Sequence, residues 1–338
     1  MKPCYIHSIA SISTQDTFRN PSFLETVETY TAETITAIHP NYKDFIPPVA
    51  SRRMATGVKM GVATAKIALE EANLIQPDAI ITGTGMGCIE DSEKFLGKLL
   101  EDDEQYLTPT SFIQSTHNTV GGQIALGIQC KSYNVTYVHG ANSFETSLLD
   151  AQLLLNEAEA TNILVGGVDE LGKKFNPIYA SLQNDLTVPI GEGANFFVLG
   201  ATKKDNSYAT LTAVDCLQAI SLETISQKTI TFLQQNKLKA SDIDLVVLGK
   251  NGDSYDNYYE TLQNSVFPEA THIHYKHLSG EYHTASAFGL WTASRIIKEQ
   301  NVPKALLLNT IEKKQYKNIL LYNQYQGEYH SFILLSAC

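Results

Sequence analysis

The stretch Tyr133–Val138 (YNVTYV) predicts a β-strand, which leads into the turn His139–Ser143 (HGANS) and the helical segment Phe144–Leu155. An enzyme that transfers acyl groups would place its nucleophile in such a turn. There the N-terminus of the following helix lowers the pKa of a thiol and offers backbone N–H groups to an oxyanion. This turn contains no cysteine, and Ala141 at its centre offers only a methyl group. The segment therefore predicts the scaffold of an acyl-transfer site without its nucleophile.

The composition is that of a globular protein that can bury a large core. The chain has 338 residues, of which 43% are hydrophobic and 18% charged, and its net charge is −11. This acidity makes nucleic acid and anionic membranes poor partners. It would also repel an acidic carrier protein, unless a basic patch or a second subunit supplied the docking site. No apolar run reaches the roughly 18 residues of a membrane span, and no signal-peptide pattern is present, so we expect a cytoplasmic protein.

The cysteines indicate neither a zinc site nor a disulfide framework. Reduced and mostly buried thiols are the expected state, because none of the five is in CxxC spacing. We therefore predict no cofactor and no metal. The cysteines are Cys4, Cys88, Cys130, Cys216 and Cys338.

Strands and helices alternate along the chain in two successive rounds. The polar run Lys203–Asn206 interrupts the apolar segments, so we place a boundary there, between halves at 1–204 and 205–338. Two such α/β halves predict two mixed sheets, with helices between and outside them, that share one core. The predicted helices are Met54–Glu71, Asp91–Leu100, Thr119–Ile128, Phe144–Leu155, Thr224–Gln235, Tyr255–Gln263 and Thr284–Glu299. The predicted strands are Ala79–Thr82, Asn134–Val138, Asn162–Val165, Asn195–Leu199, Ala209–Val214, Asp244–Leu248, Lys304–Leu308, Asn318–Tyr322 and Ser331–Leu335.

Five segments in the same order resemble the motifs of β-ketoacyl-ACP synthases, and the resemblance covers nearly the whole chain. It implies a thiolase-like α/β fold of two pseudo-repeated βαβαβαββ halves in five layers (αβαβα), and an obligate dimer. The segments are Ser115–Ala125 before the nucleophile strand, the strand Asn134–Val138, Val165–Glu170 (VGGVDE), Gly191–Leu199 (GEGANFFVL) and Lys276–Ala287.

The departures from the family pattern fall on its catalytic positions. The nucleophilic cysteine aligns with Ala141, and the two catalytic histidines align with Asn251 and Glu281. The family lysine survives as Lys276. The Gly-Phe-Gly-Gly loop near the C-terminus becomes Tyr325–Glu328 (YQGE), so the resemblance assigns the acyl-pocket gate to Gln326 and Gly327.

Condensation in that family needs a thiolate to hold the acyl chain and two imidazoles to polarise the malonyl thioester. Alanine forms no thioester, asparagine carries no proton at neutral pH, and a glutamate carboxylate repels a developing enolate. The resemblance therefore implies a catalytically silent relative, of the kind called chain-length factors, which pairs with an active ketosynthase in polyketide, polyene or fatty-acid-like biosynthesis. Details of Ser115–Val120 and Gly280–Ala287 are closest in character to ketosynthase-like proteins of aryl-polyene and flexirubin-type pathways.

The same resemblance predicts how the subunit assembles. Nucleophile-leading strands of two subunits pair across the family dimer, and the acyl tunnel ends against that interface. Partners would be an active ketosynthase or a second copy, with the acyl carrier protein binding mainly through the active partner. The strand residues implicated are Asn134, Val135, Thr136, Tyr137 and Val138.

Two alternatives stay open. The chain could be an acyl-processing hydrolase or decarboxylase that uses Ser143, Cys88 or His283, or it could be a homodimeric acyl-binding protein. The residues themselves favour structural roles: we expect Ser143 to be a helix N-cap, Cys88 to be a structural thiol, and His139 to be a packing or interface residue. The sequence leaves product length, substrate and pathway open.

Overall fold

The computed structural model describes residues 4–101, 105, 109–182 and 186–338. These residues form ten strands and eleven α-helices. The strands are β1 Cys4–Ile12, β2 Ala79–Gly83, β3 Tyr133–Tyr137, β4 Asn162–Asp169, β5 Gly193–Gly200, β6 Ala209–Gln218, β7 Leu245–Leu248, β8 Thr271–His274, β9 Asn318–Tyr325 and β10 Tyr329–Ser336. The helices are α1 Pro48–Ser51, α2 Thr56–Glu71, α3 Ile89–Glu101, α4 Pro109–Ser115, α5 Thr119–Ile128, α6 Ser143–Asn156, α7 Phe175–Leu182, α8 Ile225–Gln235, α9 Asn257–Thr261, α10 Lys276–Ser279 and α11 Ser286–Glu299.

The strand order repeats between the two halves. It is β3-β2-β4-β5-β1 in the first half and β8-β7-β9-β10-β6 in the second, when each is counted from its outer edge. The two strands beside β2 are parallel to it, as are those beside β7, whereas β5 and β10 are antiparallel to both of their neighbours. The topology thus matches the predicted pseudo-repeat.

A short seam joins the halves. Only Cys4–Ile6 of β1 pairs with Ala209–Leu211 of β6, in antiparallel register. This seam links the ten strands into one hydrogen-bonded sheet, where the sequence predicted two separate sheets.

Three apolar clusters divide the molecule into layers. The inner cluster holds α6 and α11 between the facing sides of the two half-sheets. Residues 286–297 of α11 are all buried, whereas α6 keeps one partly exposed face. A second cluster packs α2 and α5 on the outer face of the first half, and a third packs α8 and α9 on the outer face of the second. The order helix–sheet–helix–sheet–helix confirms the predicted αβαβα architecture.

One strand prediction was wrong. Lys304–Leu308 does not form a strand; it begins with a 3-10 turn at Lys304–Leu306. The outer strand beside β7 is instead β8, which lies earlier in the chain and carries His272 and His274. Among the described residues, no helix is long and apolar enough to cross a bilayer.

Candidate functional site

A 3-10 turn at Gly140–Asn142 connects β3 to α6. Ala141, which the resemblance aligns with the family cysteine, is buried with 3% of its surface exposed. The Ser143 hydroxyl donates to the carbonyl of Gly140 (2.6 Å) and accepts from the backbone N–H of His139 (2.9 Å). Ser143 is therefore the first helical residue, not the N-cap that we expected, and its hydroxyl binds the turn that precedes the helix.

The glycine loop after β2 is attached to the site by Asp169, the last residue of β4. One carboxylate oxygen accepts from the backbone N–H groups of Gly85 (2.8 Å) and Met86 (3.1 Å) and from the Thr84 hydroxyl (2.9 Å). The other accepts from the backbone (3.0 Å) and hydroxyl (2.9 Å) of Thr284. The acidic residue of the VGGVDE motif thus fixes two loops of the site in place.

Glu170, the next residue, accepts from the backbone N–H groups of Gly57 and Glu90, near the N-termini of α2 and α3. Burial raises the pKa of Glu170 to about 7. The two N–H donors favour the ionised form and oppose the effect of burial.

Lys276 and Glu281 form a buried ion pair. The Nζ atom of Lys276 lies 2.6 Å from Oε2 of Glu281, and the two residues are 1% and 5% exposed. Burial raises the pKa of Glu281, and the positive charge of Lys276 opposes that rise. The Glu281 carboxylate is thus committed to Lys276.

A second buried carboxyl lies nearby on α6. Glu145 is 0% exposed, and one of its oxygens accepts from the Ser331 hydroxyl (2.9 Å). Burial raises the pKa of Glu145, while the hydrogen bond from Ser331 and the charge of Lys276 act in the opposite direction. The retained lysine therefore interacts with two carboxyl groups in the interior.

Asn251 is buried at the end of the loop after β7, where 3% of its surface is exposed. Its backbone N–H donates to Oδ1 of Asp256 (3.0 Å), and its carbonyl accepts from the N–H of Thr187 (3.0 Å). Glu281 binds the same segment, through its own N–H to the carbonyl of Pro189 (2.8 Å). The structure therefore brings Asn251 and Glu281 to one stretch of backbone.

His283 connects this region to the turn that carries Ala141. A Cβ atom placed on Gly140 would lie 3.9 Å from Cδ2 of His283, and one placed on Gly85 would lie 2.3 Å from its Cβ and Cγ. Gly85 therefore allows the close approach of His283. The imidazole lies beside the site, and its ring centre is 5.4 Å from that of Tyr325.

A narrow pocket borders these residues. Glu281, His283 and Met86 line it, together with two tyrosines from α7 and β9. The hydroxyls of Tyr179 and Tyr325 are hydrogen-bonded to each other across the pocket. The aromatic pair therefore occupies space beside the catalytic positions.

The predicted gate residues lie at the hairpin between β9 and β10. Gln326 (φ 52°) and Gly327 (φ 64°) both have positive φ, as the central residues of a type I′ turn do. The Gln326 side chain is exposed at the tip, whereas the preceding residue, Tyr325, lines the pocket.

The thiols lie away from these positions or are buried. Cys88 has 0% exposure, and burial raises the pKa of its thiol, so a reactive thiolate is disfavoured there. No disulfide links the described cysteines. Within the described ranges, no group of three or more His, Cys, Asp or Glu side chains could hold a metal ion.

The strand β3 is the outer strand of the first half and, in the described part of the chain, pairs only with β2. Val135 and Tyr137 pack against the inner cluster and are partly buried. On the other face, the Asn134 side chain donates to the carbonyl of Gly121 (3.0 Å), and Thr136 shares a hydrogen bond of 2.7 Å with Thr82. Val138 is 40% exposed and lies one residue beyond the strand.

Exposed apolar side chains occur on the elements before, on and after this strand. Leu126 on α5 is 72% exposed, and Leu153 on α6 is 51% exposed. Tyr133, at the start of β3, is 47% exposed, and its hydroxyl donates to Oδ2 of Asp150 (3.2 Å). An unpaired strand edge between apolar helices has the character of an interface.

Sequence reasoning singled out Ala141, Asn251, Glu281 and Lys276, and this assignment stays a prediction; it missed the groups that contact them in the structure. Glu145 follows Ala141 by one helical turn, and this spacing could have signalled an inward-facing carboxyl. Nothing local indicated the pairing of Tyr179 with Tyr325, because the two residues are far apart in the chain.

Comparisons with known proteins agree with this architecture. A search of curated proteins by sequence returned no match. The chain superimposes on the ishigamide ketosynthase/chain length factor with a TM-score of 0.78 at 15% identity, covering 100% of this chain and 99% of that one. A β-ketoacyl synthase from Burkholderia phymatum gives 0.78 at 15% identity, with 100% of both chains covered.

A third structure, a ketosynthase in complex with its chain length factor from Xenorhabdus doucetiae, gives a TM-score of 0.75 at 13% identity, with 100% and 98% covered. At these identities the likeness establishes the thiolase-like fold. The β-ketoacyl synthase N-terminal domain family matches residues 28–238, more than half of the sequence. This chain is therefore a member of the β-ketoacyl synthase family.

Proposed function

We propose that this chain is a catalytically silent ketosynthase-like subunit that pairs with an active β-ketoacyl synthase and shapes its acyl tunnel. The observation that carries the proposal is the state of the three catalytic positions. Ala141 has no nucleophile, Asn251 has no titrating group, and Glu281 is bound to Lys276 at 2.6 Å. A site with these three groups cannot hold an acyl thioester or polarise malonate.

The geometry gives little support to a replacement nucleophile. The Ser143 hydroxyl already donates to a backbone carbonyl, and the Cys88 thiol is fully buried. His283 lies near the turn, but Ala141 gives it no thiol or hydroxyl to activate. An acyl-processing hydrolase or decarboxylase is therefore the weaker hypothesis.

The free edge of β3 supports pairing with a second subunit. In a heterodimer this edge and the apolar helices beside it would be covered, and this chain would form one wall of the partner's tunnel. The net charge of −11 would repel an acidic carrier protein, so the carrier would bind mainly through the active partner. We place this assembly in the cytoplasm and in polyene, polyketide or fatty-acid-like biosynthesis, and aryl-polyene synthesis is the narrower hypothesis.

The first test is chemical. After incubation with malonyl- and acyl-carrier proteins, intact-mass spectrometry of the isolated chain should show no covalent acyl adduct and no condensation product. A stoichiometric adduct on Ser143 or Cys88 would contradict the proposal.

The variant Ala141→Cys tests whether a thiol alone restores the chemistry. It is made in a Cys338→Ser background, so that the exposed thiol of Cys338 is not labelled in its place. This variant should gain one thiol that a cysteine-directed inhibitor labels, because the helix N-terminus stabilises a thiolate. It should still not condense, since Asn251 and Glu281 remain.

The second test concerns product length. A Cβ atom placed on Gly122 of α5 would meet no other atom within 4 Å, and this position shares a helix face with the exposed Leu126. Gly122→Phe should therefore leave this chain folded and extend a ring toward the partner, so that the heterodimer makes shorter products. Gly122→Ala is the control for loss of glycine. Mass spectrometry measures the product lengths. If Gly122→Phe and Gly122→Ala give the same product lengths, this chain does not shape the tunnel.

A further inference from the structure

Asp150 is a carboxylate on the face of α6 that borders β3. The helix presents Thr146, Leu149, Asp150 and Leu153 at spacings of i, i+3, i+4 and i+7, which places them on one face. All four are at least partly exposed, whereas Leu148 and Ala151 beside them are buried in the inner cluster. This face and the free edge of β3 together form the surface that the proposed function assigns to the partner subunit.

The Asp150 carboxylate is held beside the start of the strand by Tyr133. It accepts from the Tyr133 hydroxyl at 3.2 Å. Burial and the charge of Asp150 raise the pKa of Tyr137 to about 12. None of the ion pairs in the described part of the chain includes Asp150. The surface therefore carries a positioned negative charge without a cation of its own.

Pairing with a second copy would bring two such charges together. An interface with two-fold symmetry places the same patch of both subunits around one axis, and two β3 edges paired across it would run antiparallel. Each copy would contribute the same face of α6, so both Asp150 carboxylates would lie within one interface. Both would lose water on association, and the repulsion between like charges grows as water is excluded.

We propose that Asp150 makes this surface select a related subunit that presents a lysine or arginine to it, and disfavours pairing with a second copy of this chain. The inference rests on the proposed function, because it requires that the β3 edge is the interface. A carboxylate facing a cation steers the correct encounter, and the same carboxylate facing its own copy opposes the wrong one. Asp150 would thereby both favour the related subunit and disfavour a second copy of this chain.

The experiment compares the wild type, Asp150→Asn and Asp205→Asn, a matched change of charge in the exposed loop between β5 and β6. Sedimentation equilibrium measures self-association, and calorimetric titration measures binding to a purified active ketosynthase encoded in the same genome. Asp150→Asn should tighten self-association about tenfold and weaken binding to the ketosynthase about tenfold. Asp205→Asn should change neither.

Asp150→Lys should weaken the heterodimer further than Asp150→Asn, because it sets two cations against each other. If the wild type binds the ketosynthase and Asp150→Asn matches Asp205→Asn in both assays, the inference is overturned and the proposed function stands. If the wild type does not bind the ketosynthase at micromolar concentration, the proposed function fails, and the inference fails with it.

Discussion

Lys276→Met should lower the free energy of unfolding by about 3–5 kcal/mol, the cost of leaving one partner of a buried ion pair without its counter-charge. Lys276 is 1% exposed and its Nζ atom lies 2.6 Å from Glu281, so water cannot replace the lost charge. Urea denaturation followed by circular dichroism measures the change. Lys314→Met, at an exposed lysine, should change stability by less than about 0.5 kcal/mol.

The double variant Lys276→Met/Glu281→Leu distinguishes the cost of an unpaired buried charge from the cost of altered packing around these residues. Removing both charges should recover most of the lost stability, since a buried pair replaced by apolar residues is often neutral. The pH dependence has a definite sign. Burial raises the pKa of Glu281, and loss of Lys276 raises it further, so the single variant should have a smaller deficit at pH 5 than at pH 8. An equal deficit in the single and double variants would show that the ion pair does not hold this site together.

The second large effect is expected on assembly. Leu126→Glu should weaken the complex with the active ketosynthase at least about 100-fold, because it places an unpaired charge in an interface that excludes water. Leu126 is 72% exposed in this chain, so the monomer should keep its stability within about 0.5 kcal/mol. Light scattering at micromolar concentration and thermal unfolding report the two quantities.

Val49→Glu is the matched control, since Val49 is 75% exposed on α1 and should not affect binding. A charge at Val135 or Tyr137 should also disrupt the dimer, but both side chains pack against the inner cluster. Substitution there would destabilise the monomer as well. A wild-type chain that stays monomeric with the ketosynthase present, or a Leu126→Glu variant that binds as tightly as Val49→Glu, would contradict the assigned interface.

Much of the fold could be predicted because most elements carry a clear local pattern. The helices predicted at Met54–Glu71 and Thr224–Gln235 begin within two residues of α2 and α8 and end at the same residues. Two strands lacked such a pattern. In β1, buried His7 and Ser8 look polar in sequence, but they bind Ser207 (3.1 Å) and the carbonyl of Ala68 (2.6 Å) across the fold.

The strand β8 was missed for a related reason. His272 and His274 reduce its apolar character, and His272 becomes buried only because its ring binds the carbonyl of Phe267 (2.9 Å) and the side chain of Asn309 (3.0 Å). The run Ala305–Leu308 is more apolar, so a strand was predicted there instead. Such contacts between distant residues leave no local signal.

Sequence motifs suggested which residues form the candidate site, but they could not show which contacts these residues make or whether their charges are balanced. Glu281 by itself predicts a repelling carboxylate at a lost histidine position. Only the 2.6 Å contact with Lys276 shows that this charge is neutralised inside the protein. Similarly, the sequence VGGVDE identifies a family motif but not its structural role. The five hydrogen bonds of Asp169 show that its carboxylate holds two loops together.

The seam between the halves has a consequence for how the chain is made. β1 leaves the ribosome before the other described strands, but its partners are β5 and β6, with Ile6 opposite Leu199 and Cys4 opposite Leu211. Contacts of such long sequence separation form slowly. At synthesis rates of about 5–20 residues per second, β1 waits for roughly ten seconds or longer before its neighbours emerge. During translation the growing polypeptide thus exposes an unpaired, mostly apolar strand, which makes β1 a natural binding segment for chaperones that act on nascent chains.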